Sequence, residues 1–235
     1  MQEYLREFLS DIQEVYLLPS LEGSPVDQIA RKGNIPVHYK SRDFFSTFAQ
    51  GGNHQGVAAF LRSFSYTSLA RIMERDTNLL LILDGILDPR NLGALLRTAE
   101  AVGVGGVILP KRRAAPVSPL VEKIASGATA YLSICQVDNL ARTLAVIRAA
   151  GYWIVGLVPD AQEILFDLSL PQKIAVLLGG EEKGLRLLTR QNCDYLVRIP
   201  MRGKISSLNV SVAGAVVLYE ILRQSLRGSR KTLDL

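Results

Sequence analysis

Cysteine is nearly absent: there are two among 235 residues, Cys135 and Cys193, far apart and without CxxC spacing. This disfavours a disulfide framework or a thiol-built metal site, so no metal is expected, and it fits a reducing cytoplasm. Histidine is as scarce, with two residues. His38 falls in a short predicted strand and His54 in a turn, positions that read as structural rather than catalytic. No uncharged apolar run reaches about 18 residues, and the first residues, Met-Gln-Glu-Tyr-Leu-Arg-Glu, lack the basic-then-apolar pattern of a signal peptide. A soluble, cytoplasmic protein without a membrane partner is expected. Nucleotide fingerprints are missing too. Gly179-Gly-Glu-Glu-Lys-Gly-Leu departs from the P-loop around its lysine, and Gly103-Val-Gly-Gly-Val-Ile lacks the last glycine of GxGxxG. Triphosphate-dependent and nicotinamide-dependent enzymes are therefore disfavoured. There is no internal repeat or low-complexity segment.

What remains is an ordinary globular composition, 48% hydrophobic and 21% charged. A net charge of +5 and a pI near 9.3 lean towards a polyanionic partner without proving one. Residues 1–65 alternate short helices and strands: a helix at 4–12, strands at 14–18, 37–39 and 57–60, helices at 26–32 and 44–48, and a turn cluster at 50–56. They read as a small α/β domain. Residues 66–78, within a Ser/Thr-rich charged stretch, read as a linker. From residue 79 the rhythm is regular, with strand candidates at 79–83, 106–109, 131–135, 153–158, 174–178 and 195–199 between helical stretches. Runs such as Leu79-Leu-Leu-Ile-Leu are apolar without alternation, as in strands of a parallel sheet covered on both faces. Sites in such α/β sheets lie beyond the carboxyl ends of the strands.

Three stretches follow strand ends. The first, from Asp84 to Glu100, predicts a helix over 92–103 with an apolar arc and a second arc of Gly93, Arg97 and Glu100. On that second arc glycine would let a ligand approach the backbone while Arg97 reaches a phosphate or carboxylate; a plain Arg97–Glu100 surface pair is the alternative. Asn91 or Asp88 would cap the helix. The second stretch is the Gly179–Gly180–Glu181 loop, suited to a backbone facing a ligand or to a plain turn. The third is Ile199-Pro-Met-Arg-Gly-Lys-Ile-Ser-Ser-Leu-Asn-Val-Ser. It runs into a helix apolar on every side, with Val210, Ala213, Val217 and Ile221 on one face and Val212, Val216 and Tyr219 opposite. One face is expected against the chain's own sheet and the other against a second subunit. Ser207 and Asn209 at its start either meet a ligand or cap the helix. After another strand end, Lys111-Arg112-Arg113 is a candidate RNA contact or an ordinary solvated loop.

Together and in this order, Asn91-x-Gly-Ala-x-x-Arg97, Gly179-x-Glu181-x-x-Gly184-Leu185 and Ile199-Pro-Met…Ser207-Leu-Asn209-Val-Ser211 resemble the motifs of the SpoU/TrmH family of RNA ribose 2′-O-methyltransferases. Ser126-Gly-Ala and His54-Gln-Gly are similar to the subgroup that methylates a guanosine of large-subunit ribosomal RNA; Glu182 stands where the family usually has glycine. The resemblance implies a C-terminal deep trefoil knot, S-adenosyl-L-methionine as methyl donor, and a homodimer formed through the C-terminal helix and knot. It also implies a ribosomal-protein-like RNA-binding domain at the N-terminus, here without its first strand. It places Leu178, Gly179, Gly180, Ile199 and Leu208 around the donor, and Asn91, Arg97, Glu181, Ser207 and Asn209 around the ribose and its phosphate. Transfer RNA as substrate, or an RNA-binding ribosome-assembly protein without transfer activity, are the alternatives.

Overall fold

The computed structural model describes residues 12–48, 55–61, 64–181 and 183–231. The expected helix at 4–12 lies almost wholly outside these residues, as do His54, most of the 50–56 turn cluster, and Glu182. The chain divides into two compact units, Met1–Phe64 and Ser65–Leu235.

In the first unit, β1 (Ile12–Leu17) is central, parallel to β2 (Val37–Tyr39) and antiparallel to β3 (Val57–Leu61). Between β1 and β2 runs α1 (Pro25–Lys32), which starts where Pro25 takes the first helical position and Ser24 Oγ accepts the Asp27 N–H. α2 (Arg42–Phe48) follows β2. Val15, Leu17, Val26, Ala30, Ile35 and Val57 form the core. His38 has a structural setting: it stacks on Tyr16 and lies 3.0 Å from Glu14.

The second unit holds a seven-stranded sheet, parallel throughout, in the order β6-β5-β4-β9-β7-β10-β8. The strands are β4 (Leu79–Asp84), β5 (Gly106–Pro110), β6 (Ile134–Val137), β7 (Trp153–Leu157), β8 (Glu163–Ile164), β9 (Ile174–Gly179) and β10 (Tyr195–Arg198). Their helices are α3 (Leu69–Met73), α4 (Pro89–Ala101), α5 (Pro119–Ala125), α6 (Leu140–Ala149), α7 (Leu187–Gln191) and α8 (Val210–Lys231). Leu80 to Leu83 and Ala175 to Leu177 are wholly buried, as their unbroken apolar runs require. β9 lies between β4 and β7, pairing Val176 with Leu81 on one side and Val155 on the other.

Two expectations need correction. The strand expected at 131–135 is β6, which begins at Ile134; Tyr131 ends a 3-10 turn and is 80% exposed. Within the stretch expected to be linker, Ser68 caps α3, Ile72 is buried, and the Thr67 N–H donates to the Ile134 carbonyl. α8 buries one apolar face within its own unit. Val210, Val217, Leu218 and Ile221 are buried, whereas Val212 and Tyr219 are half-exposed on the other face.

Buried Glu220 anchors α8. It accepts from Arg223 and from Gln224, whose side chain also bonds the Leu168 carbonyl and the Leu170 N–H. The Arg223 guanidinium and the Gln224 amide hold the Glu220 carboxyl below its usual value despite burial. A carboxyl depressed by folding stabilises the fold fully above its unfolded pKa of about 4.3 and loses that contribution as pH falls through its folded value. Melting temperature should therefore drop more steeply in wild type than in Glu220→Gln on acidification below about pH 4. Parallel curves would show that Glu220 contributes nothing to the acid response.

Candidate active site

Because every strand of the large sheet runs the same way, the ends of β4, β7, β9 and β10 open onto one edge. Beyond that edge lies a cavity of about 600 Å³, within the usual range for ligand sites of roughly 300–1,000 Å³. All five residues expected around a donor line it: Leu178, Gly179 and Gly180 from β9 and its loop, Ile199 after β10, and Leu208 before α8. Glu181, Ser207 and Asn209 line it too.

Asn91 joins them from the first turn of α4. Asp88 caps that helix through the Arg90 N–H, with Pro89 at its first position, which leaves the Asn91 side chain for other work. Its Nδ2 donates to Glu181 Oε1, and its Oδ1 accepts from Asn209 Nδ2 at 3.0 Å. Asn209 Oδ1 in turn accepts the Ser211 N–H and hydroxyl. Asn209 thus caps α8 and also bonds Asn91. Ser207 makes no cap and sits exposed at the cavity.

Arg97 stands apart. Six residues along α4 from Asn91, it lies about 120° around the helix, and its Nη1 donates to Ser126 Oγ at 3.1 Å; it does not line the cavity. No bond to Glu100 forms among the described residues. Gly93 corrects the expectation of ligand access. It is buried against α5, where a Cβ would meet Ile124 at 2.7 Å, so it serves helix packing. Lys111 is paired with Asp138 at 2.9 Å, an exposed pair of little energetic weight. Arg112 and Arg113 are exposed, Arg113 with a left-handed backbone. None of the three lines the cavity.

Sequence reasoning missed Leu157, Val158 and Pro159, which line the cavity from the end of β7. The rule that sites gather at carboxyl strand ends applies to β7 as to its neighbours and could have found them. It also missed a lock beneath the loop. Buried Asp84, at the end of β4, accepts from Thr189 Oγ1 at 2.7 Å and lies 2.8 Å from Arg186 Nη2. α7 is thereby tied to the end of β4.

An α/β domain with a ligand-sized cavity beyond the carboxyl edge of a parallel sheet, walled by three loops, is the class these features define. Residues 78–219 match the SpoU rRNA Methylase family, and residues 2–67 match the family described as RNA 2′-O ribose methyltransferase substrate binding. The chain is 39% identical over 218 residues to the 23S rRNA (guanosine-2′-O-)-methyltransferase RlmB of Yersinia pestis, covering 90% of this chain and 89% of that one. The enzyme of the same name from Pseudomonas aeruginosa is 44% identical over 202 residues, 84% of this chain and 81% of its own. The SpoU methyltransferase AviRb from Streptomyces viridochromogenes, solved in complex with the cofactor AdoMet, superposes with a TM-score of 0.68. It is 25% identical over 96% of this chain and 88% of that one. The chain belongs to the SpoU rRNA Methylase family.

The loop geometry is testable through Gly180. A Cβ there would sit 2.1 Å from the Gly85 carbonyl oxygen, a backbone atom that cannot swing aside. Gly180→Ala should lower the urea midpoint by an amount equivalent to about 1–3 kcal/mol with the slope unchanged. An unaltered midpoint would mean that the two loops are not pressed together.

Proposed function

We propose that this chain transfers the methyl group of S-adenosyl-L-methionine to the ribose 2′-hydroxyl of RNA, at a guanosine of 23S ribosomal RNA. The observation that carries this reading is the hydrogen-bonded series Glu181–Asn91–Asn209, drawn from three distant segments and set against a ligand-sized cavity. The lining fits the donor: Leu157, Leu178, Ile199 and Leu208 offer apolar walls for a heterocycle. The two free cysteines fit a reducing cytoplasm. The first unit is assigned to RNA binding, in keeping with its match to substrate-binding domains. A knotted path of the C-terminal part belongs to the same proposal; β9 filling the place between β4 and β7, and α8 returning to pack Gly214 against Leu95 and Leu178, favour it.

The donor supplies an electrophilic methyl group, so the protein's task is placement, and placement alone can contribute up to about 7–11 kcal/mol. Glu181 fixes the Asn91 amide, and Asn91 with Asn209 offers a rigid polar edge on which a ribose can be held. Ser207 presents a hydroxyl at the same cavity. Arg97 uses one of five N–H donors on Ser126 and keeps the rest for a phosphate. Its guanidinium holds its protons too firmly to act as base; the 2′-hydroxyl proton passes to water or to a phosphate oxygen of the RNA.

Two copies are proposed to pair through the open face of α8. The half-exposed Val212 and Tyr219, with Leu226 further along, favour such a covering. The separation of Arg97 from Asn91 within one copy favours a cavity that receives Arg97 from the other.

Methyl incorporation into 23S ribosomal RNA, measured beside calorimetric donor binding, tests the function. Arg97→Ala should lose incorporation while binding donor within about twofold of wild type, and donor affinity tenfold weaker would remove the division of labour. Asn209→Ala should also lose activity; full activity would reduce Asn209 to a helix cap. Coexpressed, the two inactive variants should recover about a quarter of wild-type activity, because half of randomly paired dimers carry one intact site. No recovery would place Arg97 and Asn209 of one copy in the same site.

A further inference from the structure

Among the described residues lining the cavity there is one acid, Glu181, already bonded to Asn91, and one cation, Lys183. Residues 201–209, which supply Met201 and residues 206–209 to the same lining, are exposed throughout. This segment contains Arg202 and Lys204 on either side of Gly203, around which there is open space, and no acidic residue. Lys183, Arg202 and Lys204 have no hydrogen bond or ion pair to any described residue. Other cations behave differently: Lys111, Arg186 and Arg190 are each held by a carboxylate, of Asp138, Asp84 and Asp160.

We propose that Lys183, Arg202 and Lys204 form a phosphate-binding rim at the cavity mouth that grips the RNA strand beside the reacting ribose. The inference deepens, and rests on, the RNA-methylating function proposed above. A phosphodiester strand carries one negative charge per nucleotide, and each cation that meets a phosphate releases a condensed counterion. Three cations with no ion pair among the described residues concentrate positive potential at the place where a backbone must arrive for its 2′-hydroxyl to enter the cavity. Ile205, 74% exposed between Lys204 and Ser206, adds apolar surface against which a sugar or base face can lie. The rim is separate from Lys111-Arg112-Arg113, none of which lines the cavity.

The experiment follows binding of a 23S ribosomal RNA fragment across a salt series for wild type, the double variant Arg202→Gln/Lys204→Gln, and a control, Arg71→Gln/Arg75→Gln, with the same loss of charge away from the cavity. Each single-strand phosphate contact contributes about 0.7 to the slope of log affinity against log salt. The rim variant should lose about 1.4 from that slope and bind roughly twentyfold more weakly at about 0.1 M salt. Its donor affinity should stay at the wild-type value, showing that the cavity is intact. The control should keep the wild-type slope. An unchanged slope in the rim variant, or an equal loss in the control, overturns the rim while leaving the methyltransferase function in place. A wild-type protein that binds donor yet shows no salt-dependent RNA binding removes the function and the rim together.

Discussion

A short series of hydrogen bonds between amide and carboxylate side chains holds the site together. Glu181, Asn91 and Asn209 come from three segments, Asn91 being 90 residues from Glu181 and 118 from Asn209. Direction matters in this series. Asn91 donates through Nδ2 to a carboxylate that can only accept, so its Oδ1 must face Asn209, which donates in turn and takes the Ser211 N–H on its own oxygen. An aspartate at position 91 would set carboxylate against carboxylate, and an apolar residue would remove the partner of both Glu181 Oε1 and Asn209 Nδ2. Neutral bonds of this kind contribute about 0.5–1.5 kcal/mol each and those to a charged group somewhat more. Their larger effect is geometric, since they fix one loop against the start of two helices.

The sheet makes that meeting possible. In a parallel sheet each strand delivers its following loop to the same edge, and placing β9 beside β4 brings the Glu181 loop next to the start of α4. Asp84 then secures the far end of the loop through Thr189 and Arg186. The loop is pinned from both sides, by Asp84 below and by Gly180 against the Gly85 carbonyl, where no side chain fits. α8 completes the wall, its Gly214 allowing approach to Leu95 and Leu178, so Asn209 at its start is set by helix packing as well as by its own bonds.

Much of this was legible in the residues. The buried strands showed themselves as apolar runs, because a parallel strand covered on both faces has no polar side to interrupt it. The strand expected at 131–135 was misplaced because Tyr131 and Leu132 are as apolar as a strand residue, yet no strand lies beside them; pairing with β5 starts at Ile134. Two-residue β8 is too short for any periodicity. Gly93 illustrates a limit of helical wheels. Its arc also holds Arg97 and Glu100, yet α5 crosses α4 at this glycine and buries it. The positions around the cavity were readable from motif order, whereas the bond partners were not, because a donor–acceptor series spanning more than a hundred residues leaves no local pattern. The same holds for Arg97, whose partner Ser126 lies in a turn with a left-handed backbone.

The distribution of charge follows from the chemistry proposed. A sulfonium donor is positive, its RNA acceptor negative, and one site must take both. Among the lining residues, one acid is bonded to a neutral amide, and most of the remainder are apolar or uncharged. Such a wall gives little to a bound positive charge, so the loss of that charge on methyl transfer is not opposed by interactions with the bound donor. Cations placed deep among these residues would repel the donor; at the exposed positions of Arg202, Lys204 and Arg97 they would meet phosphates without competing for the cavity. Arg97 held by Ser126 rather than by a carboxylate keeps its full charge for that purpose. The segregation is electrostatic: amide side chains and one bonded carboxylate order the cavity wall, and exposed positive charge with no carboxylate partner among the described residues lies outside it.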